Sequence, residues 1–442
     1  MVAFVTSPEG LPVVILGAGL TGLSTALHLR HAPYLLVERG QRVGGKARSE
    51  RRDGYTFDVT GHWLHLRDDR VRRLVDGLFS AGQLVEIERR TGVWLQGVML
   101  PYPFQANLHG LPLPVVRDCL VAFMEAQVEA ARPGVAPPAT FREFAERRFG
   151  RGIAELFFVP YNTKLWGVTP DELAPDWGSR FIPLPEPEQV IGGALGLRQE
   201  GLGYNARFLY PRAGGIDQLP EAMAARIRGR NPEAIRVGCA AEEIDVVGRR
   251  VKLVGQDDWL EYRALVSTIP LPQLVARIPA APPEVREAAA ALRWVSWRYL
   301  DVATRRAPPL REHWVYVPEL HVPFFRVGVY SNALPAMAPP GAGSLYVELA
   351  DRSGRPDLPQ VIQHLVAMGA LHDAQDVAFT ELREIECAYV LLDDAYGPAT
   401  ATIHQWLRGV GVRACGRYGA WIYNSMEDSI IQGMEAAAWA EA

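Results

Sequence analysis

Cysteine is scarce in this chain: Cys119, Cys239, Cys387 and Cys415 are the four in 442 residues, far apart and without a C-x-x-C pair. That excludes a disulfide framework and a thiol-redox motif, and leaves four reduced, buried, inert thiols. An excess of either charge is missing too. Lys and Arg number 46 against 50 Asp and Glu, a net charge of −4, so no basic surface for nucleic acid or anionic membrane is expected. A long apolar run is also lacking, because the most apolar window, Leu11 to Leu29, is interrupted by glycines and cannot span a bilayer. The first residues, MVAFVTSPEG, show no basic stretch followed by an apolar core, so no signal peptide is read and a cytoplasmic protein is expected. No internal repeat, low-complexity segment or metal site is found.

What is present is core. At 48% hydrophobic residues the chain can bury two or three domains. Its organising stretch is Val13 to Ser49. Four apolar residues, Val13 to Leu16, run into Gly17, Gly19 and Gly22, and Leu23, Ala26 and Leu27 follow at helical spacing. This is strand, tight turn, helix. In such a unit the first glycine permits the turn, the second admits a diphosphate to the backbone, and the third lets helix pack on strand. Glu38, at the end of the apolar run Tyr34 to Val37, would accept hydrogen bonds from ribose hydroxyls and repel a 2′-phosphate, which disfavours NADP here. A second glycine pair, Gly44-Gly45, followed by Ser49, offers more amides to the same diphosphate. This double-glycine extension looks like that of the amine oxidase superfamily of flavoproteins, so the cofactor is read as FAD.

Further along, Tyr55 to Val59 reads as a strand ending at Thr60-Gly61-His62-Trp63, either a loop beside a planar ring or a packed turn. Asp68 to Ile87 is helical in pattern and Gly92 to Met99 strand-like. Pro101 to Gln105 is a rigid non-helical piece, and Val115 to Ala131 and Phe141 to Phe149 are helices. Tyr161, Asn162 and Trp166 would cradle a ring or simply pack in a core. Leu219 to Ile227 reads as helix and Ile235 to Cys239 as strand. A hairpin at Glu243 to Val254 and a strand ending near Ser267-Thr268 return the chain to the dinucleotide fold. Strands between Trp297 and Glu348 and from Glu384 to Leu391 suggest a mixed or antiparallel substrate sheet, and Met426 to Ala442 is a last helix.

Taken together, DVTGHWLH (58 to 65), PYPFQANL (101 to 108), PYNTKLWGV (160 to 168), DWGSR (176 to 180), LGYNARFLYPRAGG (202 to 215), FRVGVYSN (325 to 332) and GRYGAWIYNSMED (416 to 428) resemble the UDP-galactopyranose mutase family, the eukaryotic type more than the bacterial. The resemblance spans nearly the whole chain, in family order. It implies an α/β fold: an FAD-binding Rossmann-like (GR2-type) domain from 1–90, 205–290 and 400–442, a helical domain at 106–180, and a mixed/antiparallel sheet domain from 91–105, 181–204 and 291–399. The implied reaction interconverts the pyranose and furanose forms of a nucleotide sugar, reduced FAD N5 being the nucleophile at the anomeric carbon. NADH or NADPH would reduce the flavin as a transient visitor.

The same resemblance assigns residues. Arg180 and Arg326 match diphosphate-binding arginines, which suit a departing and returning dianion. Tyr389, Tyr423 and Asn205 match substrate contacts, and Tyr102, Gln105, Tyr161, Asn162 and Trp166 line the base end. His62 and Arg417 match groups beside the flavin. Gly17, Gly19, Leu20, Thr21, Gly22, Glu38, Arg39, Gly44, Gly45, Lys46, Ser49, Gly61, Met426 and Ser429 complete the cofactor set. Two residues depart from the family: Ile422 replaces a basic residue and Glu427 an amide. A monomer or homodimer acting on a nucleotide sugar is expected. The competing reading is an FAD-dependent oxidoreductase of the amine oxidase or desaturase type, whose site would be apolar or aromatic without an arginine pair.

Overall fold

The computed structural model describes residues 10–175, 182–197, 206–352 and 354–442. It opens with β1 (Val13–Leu16), α1 (Leu20–His28) and β2 (Tyr34–Val37). β1 sits at the centre of a five-stranded parallel sheet in the order Val412–Ala414, Ala264–Ser267, β1, β2, Ile235–Arg236. Parallel neighbours need crossover connections, so strands from three distant parts of the chain meet here. Both faces are covered: Val13 and Ile15 enter one core, Val14 and Leu16 another. Burial on both faces is why β1 reads as a continuous apolar run rather than an alternating one. The final helix, Met426–Glu441, lies hard against α1. A Cβ at Gly433 would stand 2.5 Å from Thr21 O.

The second large sheet has seven strands in the order Val377–Val390, Trp294–Thr304, Gly343–Leu349, Phe324–Val329, Trp314–Tyr316, Thr91–Leu95, Val98–Pro101. All its neighbours are antiparallel except Trp314–Tyr316 with Thr91–Leu95. Its outer face has its own core, with Val315, Val327 and Val347 buried under the helix Leu358–Ala367. A helical layer of Leu113–Ala130, Phe141–Ile153 and Val159–Trp166 stands at the sheet's end. The fold is therefore mixed α/β, with one parallel sheet and one mixed sheet.

Three expectations are corrected. Asp68 to Ile87 is not one helix: Asp68 caps Asp69–Leu78 by accepting from Arg70 N, but the chain turns extended at Phe79 and Leu84–Glu88 is a strand. Its partner, Arg207–Pro211, lies more than a hundred residues away, out of reach of any periodicity argument. Gly92 to Met99 is a hairpin whose turn residues Gln96 and Gly97 both have positive φ, 52° and 76°. Pro101 to Gln105 is not wholly non-helical, since Phe104–Ala106 closes a 3₁₀ turn.

His313, just before the interior strand Trp314–Tyr316, shows how tightly this sheet is built. It is 1% exposed, and its Nδ1 accepts from Arg90 N at 3.0 Å, so a second proton would set donor against donor. Burial, then Arg90, push its pKa down to about 4. Between pH 4 and 6.5 the unfolded chain binds the extra proton and the folded chain does not, so stability falls as pH drops through that window. His313→Asn keeps an acceptor but does not titrate. Urea melts at pH 7 and 4.5 are expected to show a pH-dependent loss smaller by about 2 kcal/mol in the variant.

Candidate functional site

The site grows from the turn after β1. Gly17 has φ 99°, which a side chain would strain, and a Cβ at Gly22 would stand 1.9 Å from Gly17 O. Helix α1 can approach β1 this closely only because position 22 has no side chain. Its N-cap, Gly19, carries no side-chain cap, so no capping side chain takes up the first-turn amides. Gly44 N donates to Ala18 O at 2.8 Å, and a Cβ on Gly45 would come within 3.1 Å of Gly19 Cα. The two glycine loops thus form one backbone cradle. Glu38 directly follows β2, with Oε2 accepting from Ala18 N and Oε1 from Gly40 N. Its carboxylate is oriented beside the turn, as ribose recognition requires.

From this cradle a cleft of about 530 Å³ runs between the two sheets. Of the sequence candidates, Gly17, Gly19, Leu20, Thr21, Glu38, Arg39, Gly44, Gly45, Lys46, Gly61, His62, Arg326, Tyr389, Arg417, Tyr423, Met426 and Ser429 line it. Gly22 and Ser49 do not. Gly22 acts through packing, and the Ser49 hydroxyl is spent on Asp58 Oδ1 at 2.7 Å while accepting from Asp217 N. Arg180 and Asn205 lie outside the described residues.

The base-end candidates lie beside the cleft lining. Tyr102 and Tyr161 pack on Tyr316 at 5.3 Å, and Trp166 packs on Tyr389 at 5.5 Å. These three rings stand behind Tyr316 and Tyr389, which line the cleft. Asn162 is turned to its own helix, donating to Phe158 O and accepting from Trp166 Nε1. Gln105 donates to Pro183 O at 2.6 Å. Sequence reading missed Trp297, Trp314, Tyr316, Tyr346 and Asn424 as lining residues. A signal was available for some: Tyr316, Arg326 and Glu348 stand opposite one another across three strands, so one strand face carries them all.

The cations decide the chemistry. Arg326 donates from Nε and Nη2 to both oxygens of the fully buried Glu348, each at 2.6 Å. Burial opposes its charge, but Glu348 together with Tyr346, Tyr389 and Tyr161 outweighs this and raises its pKa. The pair is close to neutral, leaving Nη1 as the nitrogen not bonded to Glu348. Arg417 differs. Its guanidinium sits 4.6 Å from the Tyr389 ring centre and 4.9 Å from that of Tyr423, and Nη1 donates to Asn424 O at 2.8 Å. The two rings stack 5.0 Å apart. Among the described residues no carboxylate pairs with Arg417, so it gives the cleft a net positive centre.

His62 faces the same space with Nδ1 lacking a partner, and Asn424 Nδ2 is likewise unbonded. Burial, then Arg417, push His62 down to about 4, so it is neutral at physiological pH. Thr60, two residues before it, has φ 58°, an unfavourable backbone for a β-branched side chain that is held at the cleft wall. Gly61 and Gly328 both make room for Tyr346, whose ring or hydroxyl lies within 2.4 Å of a Cβ at either position. Glu427, a departure from the family pattern, accepts from both Arg67 N and Asp68 N, tying this loop to the last helix.

The family model described as Flavin containing amine oxidoreductase matches residues 20–437. The chain belongs to that family. The cradle, Glu38 and the unbonded polar atoms fit the flavin dinucleotide, FAD, that membership implies. A crystal structure of reduced UDP-galactopyranose mutase superposes with a TM-score of 0.89 at 26% identity, over 97% of this chain and 93% of that one. In sequence, a Klebsiella pneumoniae protein named "Probable UDP-galactopyranose mutase" is 26% identical over 167 residues, 36% of this chain and 42% of its own length. Human protoporphyrinogen oxidase is 25% identical over 316 residues, 65% of each chain. The matches thus span less than half of the first relative and just under two thirds of the second. Among the described residues no helix is long and apolar enough to cross a membrane.

Proposed function

We propose that the protein is a flavin-dependent sugar-nucleotide mutase, interconverting pyranose and furanose forms of a nucleoside-diphosphate sugar. The observation that carries this reading is Arg417 resting on both Tyr389 and Tyr423. Stacked aromatic faces attract a cationic substrate, but here the protein's own guanidinium occupies them. An ammonium entering the cleft would meet a fixed like charge. A phosphate would meet a planar, permanently charged donor set. The 26% identity to a reduced UDP-galactopyranose mutase over 97% of the chain supports the same reading.

In this reading FAD, when bound and reduced, supplies the nucleophile for the anomeric carbon. The chain's own residues do the rest. Arg417, with Nη1 of Arg326, holds the departing diphosphate close enough to return, and the buried Glu348 fixes the plane of Arg326. Trp297, Trp314, Tyr316 and Tyr346 exclude water from the opened sugar. Neutral His62 offers an unpartnered Nδ1 at the flavin wall. Arg180 and Asn205 join the diphosphate and sugar contacts by resemblance, and NADH or NADPH serves as reductant through the same cleft.

The test is anaerobic. Dithionite-reduced protein is incubated with a panel of nucleotide sugars, and pyranose and furanose forms are separated by chromatography. Interconversion that needs reduced flavin, and that falls about tenfold to a hundredfold in Arg326→Met, is expected. The runner-up, an FAD-dependent oxidoreductase, draws on the human protoporphyrinogen oxidase similarity. Oxygen uptake with amines or porphyrinogens and no interconversion would establish that reading instead.

A further inference from the structure

We propose that Lys164 is a positioning residue for the phosphate end of the cleft, its buried ammonium pinning both ends of the connection that carries Tyr316 into Arg326. Lys164 lies on the helix Val159–Trp166 and is 5% exposed. Its Nζ donates to three backbone carbonyls, Val317 O at 2.9 Å, Glu319 O at 2.8 Å and Phe324 O at 2.5 Å. Val317 directly follows the strand Trp314–Tyr316, and Phe324 opens the strand Phe324–Val329. One ammonium therefore grips the chain one residue after Tyr316 and two before Arg326.

Those two residues are cross-strand partners, and both line the cleft. Tyr316 also touches Tyr161, on the same helix as Lys164. Helix and hairpin are thus joined twice, by the ammonium below and the rings above. A second, half-buried cation completes the clamp: Arg352 donates to Lys164 O and Leu165 O, each at 2.7 Å, and closes the helix end on the sheet. Lys164 is not needed at this helix position for stability alone. An apolar residue at 164 would spare the cost of desolvating a charge. What the ammonium adds is three directed bonds to a connection that otherwise has few, and through it a fixed position for Arg326.

Lys164 is also placed to make that position depend on pH. Burial pushes its pKa down to about 7, opposed by Glu319. The other titratable or charged groups facing this spot are His321 on the connection, His364 on Leu358–Ala367, and Arg352. A neutral amine has two N–H donors instead of three, so deprotonation releases one of the three carbonyls.

The inference rests on the mutase reading in one respect, that the cleft takes a nucleoside diphosphate. The experiment titrates UDP into the FAD-loaded protein, following the flavin spectrum, at pH 6, 7 and 8.5. Wild-type affinity is expected to weaken about threefold to tenfold as pH rises through 7. Lys164→Gln and Lys164→Met are expected to bind UDP about tenfold more weakly at pH 6, with full flavin content and without that pH trend. Unchanged affinity and an unchanged pH trend in either folded variant would overturn the proposal. Should Lys164→Met fail to fold, Lys164→Gln and the wild-type profile decide. If wild-type protein does not bind UDP at all, it is the mutase reading that fails. The positioning claim is then judged by hydrogen–deuterium exchange across 317–324, where faster exchange in Lys164→Gln supports it and identical exchange overturns it.

Discussion

Under the mutase proposal, replacing Arg417 with methionine is expected to lower nucleotide-sugar turnover by about 10³-fold, roughly 4 kcal/mol of transition-state stabilisation, while the protein stays yellow. The size follows from the charge inventory of the cleft. Arg326 is tied at two nitrogens to Glu348, so its net attraction for a dianion is small. Arg417 has no such partner among the described residues and stands over two stacked tyrosines, whose apolar faces screen a fixed charge less than water does. The fold should survive, because replacing a half-buried cation that has no carboxylate partner among the described residues by an unbranched apolar side chain costs little. The ordering is itself a check. Arg417→Met should lose more than Arg326→Met, and equal losses in the two variants would mean that the Glu348 pairing does not persist with substrate bound. Anaerobic turnover assays of both variants, with flavin content measured by absorbance, read this directly.

Gly22→Ala is expected to weaken FAD binding by about a hundredfold, so that protein emerging from gel filtration is colourless. The added Cβ would stand 1.9 Å from Gly17 O and 3.1 Å from Gly17 C, and neither is a flexible atom that moves aside. The helix must tilt from β1, and its first-turn amides then leave the place where a diphosphate would meet them. A difference of about 2.7 kcal/mol in cofactor binding corresponds to that hundredfold. Gly229→Ala is the control. It lies in the helix Gln218–Arg230, a Cβ there has nothing within 4 Å, and the substitution should retain the flavin and stabilise the protein by about 0.5–1 kcal/mol. Flavin reconstitution titrations of the two variants separate a steric effect at position 22 from the general consequence of losing a glycine.

The dinucleotide cradle was legible because its causes are local. A run of four apolar residues, three glycines at fixed spacing and a carboxylate ending the next strand constrain one another within twenty-odd residues, and β1, α1 and β2 form where that pattern puts them. The same holds for Asp68, read near a helix start and found capping one. Legibility failed where the partner was remote. Leu84–Glu88 alternates weakly and follows a helix, so its pairing with Arg207–Pro211 has no trace in its own neighbourhood. The packing of Tyr102, Tyr161 and Trp166 on Tyr316 and Tyr389 was not legible either, because which face of a ring meets the cleft depends on how the helical layer seats against the sheet.

By itself, then, the sequence determined the dinucleotide turn, since that follows from the spacing of its glycines and the carboxylate after the next strand, while the α/β class and the arginine candidates came with the family resemblance. The tertiary structure decided which cations keep their charge available. Glu348 neutralises Arg326 across a strand pair, Arg417 settles on two rings from different segments, and Lys164 finds three carbonyls on a distant connection. An electrostatic environment is a sum over neighbours in space, and those neighbours come from strands and helices that the chain brings together only on folding.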